Sequence, residues 1–185
     1  MKRLAALFVL LIGAACSMPE TRIYSLNMLA ERPAQSAPRS ASVAVAVQAN
    51  RYLGQPYIAH RVSPYQLDLS RYAKWEASPS DMVRDALRDA LIPSFREVRA
   101  SQVAATGFYT LQVNLKRFEM SGAASAELAM DVQVVTPEGR EVIRRSIAKK
   151  SALDASDYVS LAKGMSTMLG EAVAEIKADL LQHVP

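Results

Sequence analysis

Two segments of alternating apolar residues, a third strand that follows them and one long helical stripe most constrain the fold of this chain. Apolar side chains recur at every second position over 109–115 and 128–134, and a further strand is predicted over 141–151. A Thr-Pro-Glu-Gly-Arg turn at 136–140 joins the last two, because Pro presets one turn position and Gly tolerates positive φ. Residues 155–182 then carry apolar residues at the helical period. The sequence therefore predicts a three-stranded meander and a long C-terminal helix.

A second helix is predicted at Ser78-Pro79-Ser80-Asp81, where Ser is a preferred N-cap and Pro suits the first turn. Its apolar stripe ends before Pro93. Strands are predicted at 22–26 and 43–47, with a hairpin formed by 57–62 and 65–69. Together these elements predict a single α+β domain over 22–185, with a mainly antiparallel sheet and two helices packed on one face.

The N-terminus has the features of an export signal that ends in a cysteine. Lys2 and Arg3 precede an uncharged, mostly apolar run over 4–15, which is too short to span a bilayer. Small residues lead into Cys16, the single cysteine of the chain, in a pattern that resembles the lipobox of bacterial lipoproteins. We predict that 1–15 is a signal peptide, that Cys16 carries fatty acyl chains such as palmitate, and that 16–21 is a lipidated tether. A plainly secreted protein and an uncleaved anchor are the alternatives.

Composition excludes several classes of function. The formal charge of +4 falls by two when Lys2 and Arg3 leave with the leader, and no basic run suggests nucleic acid. No second cysteine exists for a disulfide. The two histidines, His60 and His183, have no neighbours at metal-ligand spacing, and no nucleophile elbow or phosphate loop occurs. We therefore expect no metal, no cofactor and no enzymatic activity.

Residues 50–75 form the most aromatic segment of the chain, with arginines among the rings. Tyrosine and tryptophan are enriched in protein interfaces, but they also fill cores. For Tyr52, Leu53 and Tyr57 both interpretations stay open, whereas core packing is favoured for Trp75. Core packing is also favoured for Met165 and Met168, because they lie on a regular helical stripe.

The order of these features resembles the auxiliary lipoproteins of ABC-type transport systems, the family that includes the paraquat-inducible lipoprotein. The resemblance rests on Cys16, on Tyr24-Ser-Leu26, and on Asn-Arg-Tyr-Leu-Gly-Gln-Pro-Tyr-Ile-Ala-His-Arg at 50–61, with Trp75 ahead of a helix. The chain departs from the family at Gly54, where an Asp is usual, and after Glu76. Because Ser17 rather than Asp follows Cys16, the sorting rule of the lipoprotein class favours the outer membrane.

The resemblance implies a periplasmic, outer-membrane-anchored component that is not an enzyme. It would work with an MCE-type lipid-binding protein and an inner-membrane ABC transporter in moving phospholipid or related molecules between membranes. Some relatives form rings, so a homo-oligomer is left open. We expect partner contact through six residues: Arg51, Tyr52, Leu53, Pro56, Tyr57 and Arg61. The alternatives are an envelope-stability lipoprotein and a chaperone that holds a lipid between sheet and helix.

Overall fold

Eight strands and two α-helices make up the part of the chain that the structure, a computed structural model, describes: residues 19–28, 37–101 and 106–185. The strands are β1 (Arg22–Tyr24), β2 (Arg39–Ala49), β3 (Tyr57–Ser63), β4 (Gln66–Trp75), β5 (Phe95–Ala100), β6 (Tyr109–Ser121), β7 (Ser125–Val135) and β8 (Glu141–Ala152). The helices are α1 (Pro79–Leu91) and α2 (Tyr158–His183). Single 3₁₀ turns occupy Arg51–Gly54 and Ile92–Ser94.

Strand β6 is the centre of the sheet because both of its edges are paired. One edge carries β7, which is antiparallel to it and is followed by β8. The other edge is shared by β2 and, further along, by β3, both parallel to β6. From β2 the sheet extends to β5, and from β3 it extends through β4 to β1. The 3₁₀ turn at Arg51–Gly54 lies where β2 ends and before β3 begins.

The sheet is mixed, so the expectation of a mainly antiparallel sheet was wrong. Among the described strands, four pairs are parallel and three are antiparallel. The cause lies in the connections: β2 and β3 follow one another along the same edge of β6, and α1 returns the chain so that β5 runs parallel to β2. The predicted β3–β4 hairpin and the β6–β8 meander are confirmed. Strand β5 was not predicted, because its apolar Phe95 and Val98 are three residues apart.

Both helices cover one face of the sheet and contact each other there. Helix α1 begins as predicted, with the Asp81 N–H donating to Ser78 Oγ at 3.2 Å. Met165 and Met168 of α2 lie in the core, which confirms their predicted packing. No helix in the described ranges is long and apolar enough to cross a membrane.

Trp75 also belongs to this core. It is 2 % exposed, and its ring meets that of Phe118 edge-on at a centroid distance of 5.3 Å. Core packing, favoured for this residue from the sequence, is therefore confirmed.

Candidate partner-binding site

The segment that joins β2 to β3 is fixed to an irregularity in β6. The register of β6 with β7 shifts between Leu115 and Arg117, and on the other edge of β6 the register with β2 ends at Leu115 and that with β3 starts at Glu119. The Asn50 N–H donates to the Leu115 carbonyl at 3.4 Å, and its side-chain amide donates to the Lys116 carbonyl at 3.1 Å. The 3₁₀ turn is therefore attached to the centre of the sheet rather than being a free loop.

The carboxylate of Glu119 lies directly beneath this turn and is completely buried. Arg61 holds it with two hydrogen bonds, from Nε to Oε1 at 2.5 Å and from Nη2 to Oε2 at 3.1 Å. The Tyr52 hydroxyl lies 2.7 Å from Oε2 and 3.2 Å from the Lys116 carbonyl. Because a hydroxyl has one proton, it donates its hydrogen bond to the nearer, charged oxygen, Oε2. A buried carboxylate is tolerated because these donors replace its water.

The two donors of this cluster keep their protons at any physiological pH. Burial, and after it the hydrogen bond to Glu119, raises the pKa of the Tyr52 phenol. The hydrogen bond to Glu119 is the main cause that raises the pKa of the Arg61 guanidinium. We infer that the cluster links the turn, β3 and β6 at any physiological pH.

A second ion-paired group lies next to the Glu119 cluster, on the neighbouring strands β7 and β8, and the two groups form one row of charged side chains across the sheet. Glu127 on β7 is directly opposite Glu119, and Lys150 on β8 is directly opposite Glu127. Arg117 Nη1 lies 2.6 Å from one oxygen of Glu127, and Lys150 Nζ lies 2.9 Å from the other. The hydrogen bond from Lys150, supported by the one from Arg117, lowers the pKa of Glu127 to about 2. Facing carboxylates repel, so the flanking cations are what make this pairing stable.

The remaining members of the predicted contact set differ widely in exposure. Leu53 is completely buried in the core, so the alternative of core packing applies to it. Pro56 is half-buried, and its carbonyl accepts from the Trp75 N–H at 2.7 Å. Tyr57 is half-buried, with Lys74 Nζ 5.3 Å above its ring, and Arg51 is exposed. Partner contact stays a prediction for these residues. Cys16 lies outside the described residues.

Sequence reasoning missed Glu119. It lies 67 residues from Tyr52 and 58 from Arg61, so no local spacing links the three. Its neighbours Phe118 and Met120 indicate only a strand. Only an indirect signal for this site was present in the sequence: Tyr52 and Arg61 were among the positions that carried the family resemblance. The structure shows that both side chains bind the same carboxylate, that of Glu119.

A second surface feature is an apolar groove of about 540 Å³ between the two helices. Its walls include Leu26, Met82 and Val173, with Gly170 on α2 also facing it, and Asp89 and Lys177 add charge. The groove lies between α1 and α2, not between sheet and helix. In the described ranges no group of His, Cys, Asp or Glu side chains is arranged to hold a metal ion.

The fold and the site define a class: a single α+β domain with one face covered by helices and an ion-paired row on the other. The chain belongs to the family of ABC-type transport auxiliary lipoprotein components, whose profile matches residues 24–177. This confirms the resemblance inferred from the sequence and groups the protein with membrane-anchored lipoproteins of the cell envelope. No curated protein matches the chain.

Two solved structures, with TM-scores above 0.6, agree on the fold. A Xanthomonas campestris protein of family DUF330 is similar at 21 % identity and a TM-score of 0.74, covering 87 % of this chain and 95 % of its own. The crystal structure of an uncharacterized protein is similar at 16 % identity and a TM-score of 0.65, covering 86 % and 99 %. A PelC dodecamer from Paraburkholderia phytofirmans has 14 % identity and a TM-score of 0.48, with 78 % and 91 % covered.

Proposed function

We propose that this protein is the outer-membrane-anchored, periplasmic docking subunit of an MCE-type ABC system that transports lipid between the two membranes, and that it has no enzymatic activity of its own. The observation that carries the proposal is the family match over residues 24–177, since the family consists of auxiliary lipoproteins of ABC-type transport. Ser17 after Cys16 supports the outer membrane as the destination.

The structure supports docking because the turn at Arg51–Gly54 is rigidly held. Its base is fixed by the Glu119 ion pair, by the Asn50 hydrogen bonds and by the buried Leu53. A preorganised surface loses less conformational entropy on binding than a mobile loop does. Arg51, which is exposed on this turn, is therefore the side chain best placed for a partner.

In-cell photo-cross-linking of the full-length protein tests this proposal. A photoreactive residue at position 51 should capture an MCE-family protein, whereas one at position 140, on the β7–β8 turn, should not. The Arg51→Glu variant should reduce capture several-fold, while Arg140→Glu leaves it unchanged. Capture of peptidoglycan or Tol-type components alone would instead support the envelope-stability alternative.

The interhelical groove favours one second candidate, a lipid-holding chaperone. Its apolar walls and its volume of about 540 Å³ suit part of an acyl chain. A docking subunit should purify without phospholipid beyond its covalent acyl groups, which a phosphorus assay measures. Stoichiometric phospholipid that Gly170→Leu removes would favour the chaperone instead.

A further inference from the structure

The large apolar side chains that the structure leaves exposed are concentrated at one edge of the sheet. Seven such residues occur in the described ranges, and five of them belong to β1, to β3, to β4 or to the β3–β4 turn. These five are Ile23, Val62, Tyr65, Leu69 and Tyr72. Tyr65 is 99 % exposed at the tip of the hairpin, where none of the described elements covers it. Clusters of this kind on a soluble domain mark contact surfaces.

The direction of β1 brings the N-terminal anchor toward the same tip. Strand β1 runs parallel to β4, with Arg22 opposite Ala73, so the chain preceding Arg22 enters from the side where β4 begins. From Ala73 back to Gln66, beside the tip, is at most about 23 Å of strand. The six residues 16–21 reach at most about 20 Å. The tether, leaving Arg22 in the direction of the tip, is therefore long enough to bring acyl chains on Cys16 close to the level of the hairpin tip.

We propose that the tip of the β3–β4 hairpin contacts the lipid bilayer to which Cys16 is tethered, with Tyr65 in the headgroup region and Val62 and Leu69 beside it. This inference rests on the lipid anchor of the proposed function. Tyrosine suits this depth because its ring is apolar and its hydroxyl is polar. The exposed Arg22 on β1 and Arg71 on β4 add positive charge to this edge of the sheet, which favours a surface of anionic lipids.

The depth of the contact is limited by the backbone of β4. Strand β1 pairs only with residues Ala73–Trp75, so the outer edge of β4 before Ala73 has no strand partner among the described residues. Unpaired N–H and C=O groups are very costly in hydrocarbon but are hydrated among the headgroups. The contact is consequently interfacial, and the Asp68 carboxylate stays hydrated among the headgroups.

A second copy of the chain fits this edge less well than a bilayer does. Strand addition needs a regular edge, whereas the β3–β4 register shifts twice, between Tyr57 and Ala59 and between Arg61 and Ser63. The most exposed ring, that of Tyr65, also lies on the turn beyond both strands and not along the edge.

Tryptophan fluorescence in vesicles tests the contact. The native chain has one tryptophan, Trp75, which is buried and gives a constant background. The lipidated full-length Tyr65→Trp variant is reconstituted in phosphatidylethanolamine–phosphatidylglycerol vesicles, with or without bromine on the upper acyl chain. The matched control is Ile92→Trp, 51 % exposed before β5 at the opposite end of the sheet. Bromine should quench the added Tyr65→Trp emission at least twofold and leave that of Ile92→Trp unchanged.

Flotation of the same vesicles separates the failure of the anchor from the failure of the hairpin contact. Protein that floats while Tyr65→Trp is not quenched overturns the hairpin contact and leaves the anchor standing. Protein that does not float overturns the anchor assignment and this inference together. Equal quenching of both variants means unspecific adsorption, and a blue shift of Tyr65→Trp without quenching means a protein contact; either result overturns the proposal.

Discussion

Glu119 is the residue whose environment depends most on distant parts of the chain. Arg61→Met would leave its carboxylate buried without a hydrogen-bonded cation, since Arg117 Nε is 4.0 Å away. Removing one partner of a buried ion pair costs about 3–5 kcal/mol of stability. Because Arg61 is partly exposed, we expect a cost at the lower end of this range. We expect a loss of about 3 kcal/mol in the free energy of unfolding, measured with denaturant.

The matched variant is Arg61→Met combined with Glu119→Leu. Because the double replacement removes both charges, it should recover most of the lost stability. A double variant as unstable as the single one would show that packing, and not the unpaired charge, governs this position.

Because of Glu127, the free energy of unfolding depends on pH. Its pKa in the folded protein is about 2, compared with 4.5 for an unperturbed Glu, so the ion pairs stabilise fully above pH 4.5 and their contribution is lost as the pH falls toward 2. Since Lys150 and Arg117 are about half exposed, solvent screening reduces the effect to about 1–2 kcal/mol. Denaturant midpoints at pH 2–7 should show that Glu127→Gln flattens this dependence, whereas Glu97→Gln on the exposed part of β5 preserves it.

At the scale of elements, the two glycines of α2 provide a test of helix propensity against packing. A Cβ at Gly170 would meet nothing within 4 Å, whereas one at Gly164 would lie 3.2 Å from Leu153 Cδ2. Alanine is better than glycine inside a helix by about 1 kcal/mol. Gly170→Ala should therefore raise the thermal midpoint, and Gly164→Ala should raise it less or lower it. Equal gains would contradict the close approach of Leu153.

The elements themselves were largely predictable because their signals are local. Ser78 and Asp81 are three residues apart, so capping could be inferred directly, and the stripe of α2 needs only the helical period. Strand pairing is not local: nothing in 43–47 indicates that β2 lies parallel to both β5 and β6. The same limit hid Glu119, whose burial depends on Tyr52 and Arg61 folding over it.

For the whole molecule, the structure places its apolar core on one side of the sheet and the ion-paired row around Glu119 and Glu127 on the other. The helices cover the buried residues of β6 and β7, and the row from Arg61 to Lys150 occupies the other side. We predict that attachment of this domain to the envelope depends on a covalent lipid at Cys16.

Replacing the acylated thiol tests that dependence. Each buried methylene of an acyl chain contributes about 0.8 kcal/mol, and two or more chains hold a protein at a membrane far longer than one does. Headgroup contact by a single hairpin is much weaker, so Cys16→Ser should move the folded protein from the membrane fraction to the soluble fraction and abolish labelling by radioactive palmitate. Tyr65→Ser in the acylated protein should leave it in the membrane fraction. A Cys16→Ser protein that still sediments with membranes would mean that another segment anchors the chain.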